Sequence, residues 1–155
     1  MHELFLRYAE CLHPSFEQLT TMQPVTIPTL PKDAPKECIY LFSENNHHLY
    51  VGRTRNLRQR LRQHSIPASQ HNQAVFAFRL AREMTRKTVA AYSTEGSRDV
   101  LCRDDSFAAA FADAKKRVRA MQVRYVSETD PLRQALLEIY VSVVLQTPYN
   151  DFNTH

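Results

Sequence analysis

Tyr40, Tyr50, Arg60 and His64 fall within one stretch, residues 38–64, of a 155-residue chain. Two phenols, a guanidinium and an imidazole suit work on a phosphodiester. A guanidinium forks onto two phosphate oxygens, while imidazole and phenol move protons to and from a reacting oxygen. Whether these side chains meet depends on the elements that carry them.

Residues 38–43 and 48–51 are short β-prone runs on either side of Glu44-Asn45-Asn46-His47, a polar tetrad suited to a hairpin turn. Gly52, one of two glycines in the chain, follows the second run. A glycine there marks a sharp exit or a close backbone approach. Thr54 or Asn56 then caps a helix that carries Leu57, Arg58, Arg60, Leu61, Arg62 and His64. At about 100° per residue, Leu57 and Leu61 share a face and Arg60 and His64 border it, while Arg58 and Arg62 point towards water. Hairpin and helix are therefore expected to bring the four reactive side chains to one side of a small scaffold.

These residues carry a resemblance. Ile39-Tyr40, Tyr50-Val51-Gly52, Arg60 and His64 are similar, in type and spacing, to the core of the GIY-YIG nuclease family. One position departs from the pattern: Cys38 stands where the family has its first glycine. The resemblance extends to the end of the chain. Glu138 matches the late helical glutamate that serves the family as metal ligand, and Asn150, twelve residues on, matches its final asparagine. It implies an α+β fold, a small antiparallel sheet of about three strands flanked by helices. It also implies one divalent cation, Mg2+ or Mn2+, held by Glu138. Tyr40 would be the general base, Arg60 would neutralise phosphoryl charge, Tyr50 and His64 would orient water or phosphate, and Asn150 would support the geometry.

Composition agrees with such an enzyme. Of 20 basic residues 15 are arginine, the pI is about 9.1, and five arginines crowd residues 53–62, a concentration that favours a nucleic-acid partner over a merely solvated face. Arg53, Arg55, Arg58 and Arg62 are the candidate phosphate contacts, joined by His71 and Asn72 further along. Three cysteines, with no C-x-x-C and no paired histidine spacing of a metal site, argue against a zinc site or a disulfide framework and for a reducing compartment. No apolar run has the length of a membrane span and no signal-peptide pattern opens the chain, so the expected location is the cytoplasm.

The flanks are read from periodicity. Leu4, Tyr8, Cys11 and Leu12 give a helix ending before Pro14, and Ser15-Phe16-Glu17-Gln18 reads as a capping box opening a second. Prolines 24, 28, 31 and 35 mark a strap, so residues 1–36 form a helical extension packing on a nuclease domain of 37–155, whose middle region, 65–130, is enlarged. A helix is expected over about 71–84, with His71 and Asn72 at its start. Residues 85–103, with a turn at Gly96, read as a charged loop, either a flap over nucleic acid or a connector. A helix over 104–117, its aspartates at the start and its basic residues at the end, leads into a strand over 118–126. Asp130-Pro131 opens a last helix that is apolar almost all round, which predicts burial on every side. Glu138 is the only acid inside it. Asn153 competes less well than Asn150 for the final motif, and His155 reads as a solvated tail.

The expected function is metal-dependent hydrolysis of DNA phosphodiesters by a monomer or weak dimer. The alternative is a nucleic-acid-binding module that keeps the fold without the catalysis, a reading that Cys38 alone favours.

Overall fold

The computed structural model describes residues 1–87 and 97–152. Gly96 and its expected turn, Asn153 and His155 lie outside the described residues. The chain divides into two compact units, Met1–Arg60 with Met121–His155, and Leu61–Ala120.

The first unit is built on a three-stranded antiparallel sheet in the order β2-β1-β3: β1 is Cys38–Glu44, β2 His47–Thr54 and β3 Gln122–Ser127. β1 and β2 meet in a hairpin whose tip, Asn45-Asn46, has φ of 51° and 62°. Positive φ at both positions gives a turn whose twist matches that of the strands, and asparagine tolerates it better than most residues. β2 does not stop at Gly52 as expected; it continues to Thr54.

Helices α1 (Glu3–Glu10), α2 (Leu12–Thr21) and α7 (Pro131–Leu145) complete this unit. Leu19, Leu137 and Val141 close over Ile39, Leu41, Val51 and Val126 to form its core. The expected capping box at Ser15 is absent. α2 begins at Leu12, and the Ser15 hydroxyl donates to the Cys11 carbonyl from inside the helix. Pro14 is tolerated because it occupies the first turn, where an N–H would have no partner in the helix. The strap contains a short 3₁₀ turn, Ile27–Thr29, and Val25 bridges to Val123 at the outer edge of β3.

α7 is capped as expected: Asp130 accepts hydrogen bonds from the backbone N–H groups of Leu132 and Arg133, with proline at the first helical position. Its burial is one-sided, contrary to expectation. Gln134, Leu137, Val141 and Ser142 are buried, while Leu132, Ile139, Val143 and Val144 are exposed.

Helix α3 (Leu57–Ser65) begins in the first unit and ends in the second. The second unit also contains α4 (Val75–Met84), α5 (Arg98–Arg103) and α6 (Asp105–Ala120). The ring of Phe78 on α4 meets Phe107 and Phe111 on α6 edge-on, at centroid distances of 5.1 and 5.7 Å. Three boundaries differ from the reading above. Residues 71–74 precede α4 as turns, residues 98–103 are helical, and α6 runs to Ala120, so β3 starts later. Among the described residues, no helix is long and apolar enough to cross a membrane.

Candidate active site

Tyr40 and Tyr50 rise from adjacent strands with ring centroids 6.4 Å apart. Tyr40 sits opposite Gly52 in the β1–β2 register. A Cβ built on Gly52 would lie 2.5 Å from Cζ of the Tyr40 ring and 3.0 Å from Cε1. Glycine is therefore needed here for close approach, not for a bend or a positive φ. With no side chain in the way, the phenol lies across the backbone of the edge strand.

Arg60 approaches from α3. Asn56 holds the start of this helix, its side-chain oxygen accepting from the Gln59 N–H at 3.2 Å. The Arg60 Nε–H donates to the Tyr40 hydroxyl at 3.2 Å. Burial works against the guanidinium's charge, but Tyr40 and Tyr50 together outweigh it and hold its pKa above the usual value. The Tyr40 phenol, 1% exposed, is pushed well above the ordinary tyrosine range by burial first and by Tyr50 second, with Arg60 opposing. In the free protein at neutral pH, Tyr40 is an uncharged phenol.

Glu138 enters from α7. Its carboxylate is 20% exposed and meets Nε of Arg53, on β2, at 3.1 Å. Burial raises the Glu138 pKa, and the Arg53 charge partly offsets that. Glu138 lies close enough to Tyr40 to oppose ionisation of the phenol. The Arg53 side chain is half exposed, and an ion pair this wet contributes little stability, so it can open without large cost. This pairing joins residues 85 positions apart and has no signature in the local sequence.

Asn150 does not reach into the site; it braces the strand that carries it. Its side-chain oxygen accepts from the Val51 N–H at 2.9 Å and from the Thr147 hydroxyl at 2.8 Å, and its amide donates to the Val51 carbonyl at 2.7 Å. The asparagine thus pairs with the open edge of β2 as a neighbouring strand would, between Tyr50 and Gly52. Asn150→Ala should lower the unfolding free energy by about 2–3 kcal/mol, because two backbone groups of a buried residue lose their partners. Chemical denaturation measures this, and an unchanged midpoint would remove the strut.

Arg58 is less free than the helix-face reading suggested: one guanidinium nitrogen donates to the Pro31 carbonyl at 2.7 Å, tying α3 to the strap. It also borders a cleft of about 270 Å³ with Lys32 and Lys36. These two lysines, which the sequence reading passed over as strap, extend the basic surface of the first unit. Arg55 is exposed.

In the second unit, Arg62 and Asn72 are exposed and His64 is fully buried. His71 is in the turn before α4, its Nε2 3.3 Å from Asp99. Lys115, nearly buried, donates to the carbonyls of Pro67 and Ser69 at 2.7 and 2.8 Å. Cys38, in the first unit, is wholly buried, and burial pushes its thiol up to about 12, so it is chemically quiet.

Sheet, paired tyrosines and arginine define a class. Residues 36–98 match the family model of the GIY-YIG catalytic domain, and over that stretch the chain is similar to the GIY-YIG nuclease superfamily. The matched stretch contains Tyr40, Tyr50, Gly52, Arg60 and His64. Glu138 and Asn150 lie beyond it, and only the geometry above ties them to the site. No curated protein and no solved structure matches the chain.

Proposed function

We propose that the chain is a metal-dependent endonuclease that hydrolyses phosphodiester bonds of DNA. The observation that supports this most is the convergence of Arg60 on the Tyr40 phenol, with a partly exposed carboxylate, Glu138, close to the same ring.

The described residues contain no group of three or more histidine, cysteine, aspartate or glutamate side chains fit to hold a metal. A single, partly wet carboxylate suits Mg2+ or Mn2+, hard cations that keep much of their water and share their remaining positions with substrate phosphate. Glu138 would hold that cation. Bound there, it supplies positive charge that polarises the scissile phosphate and steadies the leaving oxygen. Arg60 neutralises charge developing on the phosphoryl oxygens, a contact strongest in the transition state. Tyr40 accepts the proton of the attacking water, and Tyr50 and His64 orient water or phosphate. Arg53, released from Glu138, joins Arg55 and Arg58 on the nucleic-acid backbone; Arg62, His71 and Asn72 are candidate contacts of the second unit.

The raised pKa of Tyr40 gives this reading a pH signature. A base that must lose its proton, and whose pKa lies above neutrality, works better as pH rises. Single-turnover rates should therefore climb from pH 7 to pH 10 with a slope approaching one in log units. A flat profile over that range would remove Tyr40 as the base.

Labelled single- and double-stranded DNA and RNA oligonucleotides, assayed for binding and for cutting, test the proposal. Arg60→Ala should lower turnover even at saturating substrate, as loss of a transition-state contact does. Arg62→Ala should weaken binding and flatten its salt dependence with turnover kept. Equal behaviour of the two would reduce Arg60 to part of a solvated face. The second reading, a binding module without catalysis, is favoured by one observation: Arg53 already occupies the Glu138 carboxylate. Binding without cutting under every metal would select it.

A further inference from the structure

The outer face of α7 carries no charge, and among the described residues no element covers it. At 100° per residue, Leu132, Leu136, Ile139 and Val143 fall within one narrow stripe, opposite the face that packs on the sheet. Their 4-3-4 spacing is that of a helix seam packing against another helix. Leu132 is 62% exposed, Ile139 47% and Val143 67%. Leu4 and Phe5 of α1 continue the apolar surface beside it and are also exposed.

The patch has relief as well as composition. At its N-terminal end, Leu132, Ala135 and Leu136 form one wall of a groove of about 420 Å³, and Leu4, Phe5 and Tyr8 of α1 form the other. At its C-terminal end, Ile139 and Val143 stand out as a ridge, with Val144 exposed to one side of it. Groove and ridge lie on the same helix, their centres about 10 Å apart at 1.5 Å per residue. An antiparallel pair of such helices about a twofold axis seats each ridge in the other's groove.

We infer that this face is the interface of a symmetric homodimer, formed by α7 against α7 of a second copy with α1 flanking. A twofold contact demands a surface complementary to itself, and a ridge and groove on one stripe meet that demand. The area is also sufficient. Six exposed apolar side chains, Leu4, Phe5, Leu132, Ile139, Val143 and Val144, at roughly 100 Å² each, supply about 600 Å² per copy, or about 1,200 Å² in a dimer, above the ~1,000 Å² that a specific interface should clear. Other occupants fit less well. A lipid surface calls for a basic border, and a nucleic acid calls for unpaired cations. The only basic residues on α1 and α7 are Arg7 and Arg133, ion-paired with Glu3 at 3.5 Å and Glu128 at 3.1 Å. Charge depletion at the centre of the patch is the usual mark of a protein interface.

Sedimentation velocity of the full chain, from about 1 to 100 µM, tests the inference over the range in which a face of this size associates. The wild type should sediment as a dimer at the upper concentrations. Leu132→Glu and Val143→Glu should each weaken dimerisation at least tenfold. Both positions are exposed, so circular dichroism, and the thermal midpoint at about 1 µM where the wild type is dissociated, should be unchanged. If either variant misfolds, the other carries the comparison, and the wild-type mass stands regardless. A wild type monomeric throughout overturns the inference, as does a dimer that both glutamates leave intact. So does a monomer that co-sediments with phosphatidylcholine–phosphatidylserine vesicles through this face.

Discussion

Glu138→Ala should reduce cleavage by about 10²–10³-fold, the loss typical of removing a group that stabilises transition-state charge, while nucleic-acid affinity holds or rises. The rise follows from Arg53. In the free protein its guanidinium is engaged 3.1 Å from the Glu138 carboxylate. Deleting the carboxylate removes a negative charge from the phosphate path and releases a positive one onto it. The salt dependence of binding should steepen accordingly, because one more cation can displace counterions. Fluorescence anisotropy on labelled oligonucleotides over a salt series, paired with cleavage rates, reads both effects. Near-normal turnover of Glu138→Ala in magnesium would show that the carboxylate is not the ligand.

Gly52→Ala should damage the site without touching any reactive group. The added methyl would overlap the Tyr40 ring, with Cζ 2.5 Å and Cε1 3.0 Å away. The ring is almost wholly buried and hydrogen-bonded to Arg60, so it cannot swing aside freely. Overpacking of this kind costs about 1–3 kcal/mol. Displacement of a catalytic atom by about 1 Å costs something like 10²-fold in rate. Adding Tyr40→Phe to Gly52→Ala should recover part of the stability, since the hydroxyl is among the displaced atoms, and none of the activity. An alanine variant with wild-type unfolding midpoint and wild-type turnover would mean that the strand and ring part easily.

Glycine at 52 also shows how far the sequence could be read. A glycine at the end of a β-prone run suggested an exit or a close approach, and choosing between them required the partner strand. The register places Tyr40 opposite, and close approach is the answer. The hairpin was readable because its turn is encoded locally by Glu44-Asn45-Asn46-His47. The helix bearing Arg60 was readable because Asn56, Leu57 and Leu61 encode its start and its inner face within six residues. Pairings between distant segments were not readable: neither Arg53 with Glu138 nor Arg58 with the Pro31 carbonyl leaves a mark in composition or spacing. Asn150 was legible as a motif residue, but its function as a brace for the edge strand depends on which backbone groups β2 leaves unpaired.

The misreadings have physical causes. Ser15 looked like a cap because a helix was expected to end at Pro14, whereas proline is harmless in a first turn. The all-round apolar character of α7 predicted burial on every side. Hydrophobicity says that a face avoids water, but not whether this chain or another one covers it. Leu132, Ile139 and Val143 stand exposed.

The reading as a metal-dependent nuclease comes down to one measurement: cleavage of an end-labelled DNA oligonucleotide by the purified chain, with magnesium or manganese and with chelator. The predicted result is internal cutting by the wild type in either metal, none in chelator, and cutting slowed by about 10²-fold or more in Tyr40→Phe, Arg60→Ala and Glu138→Ala. Cutting that persists in chelator, or a wild type that binds the oligonucleotide and leaves it whole in both metals, would contradict it.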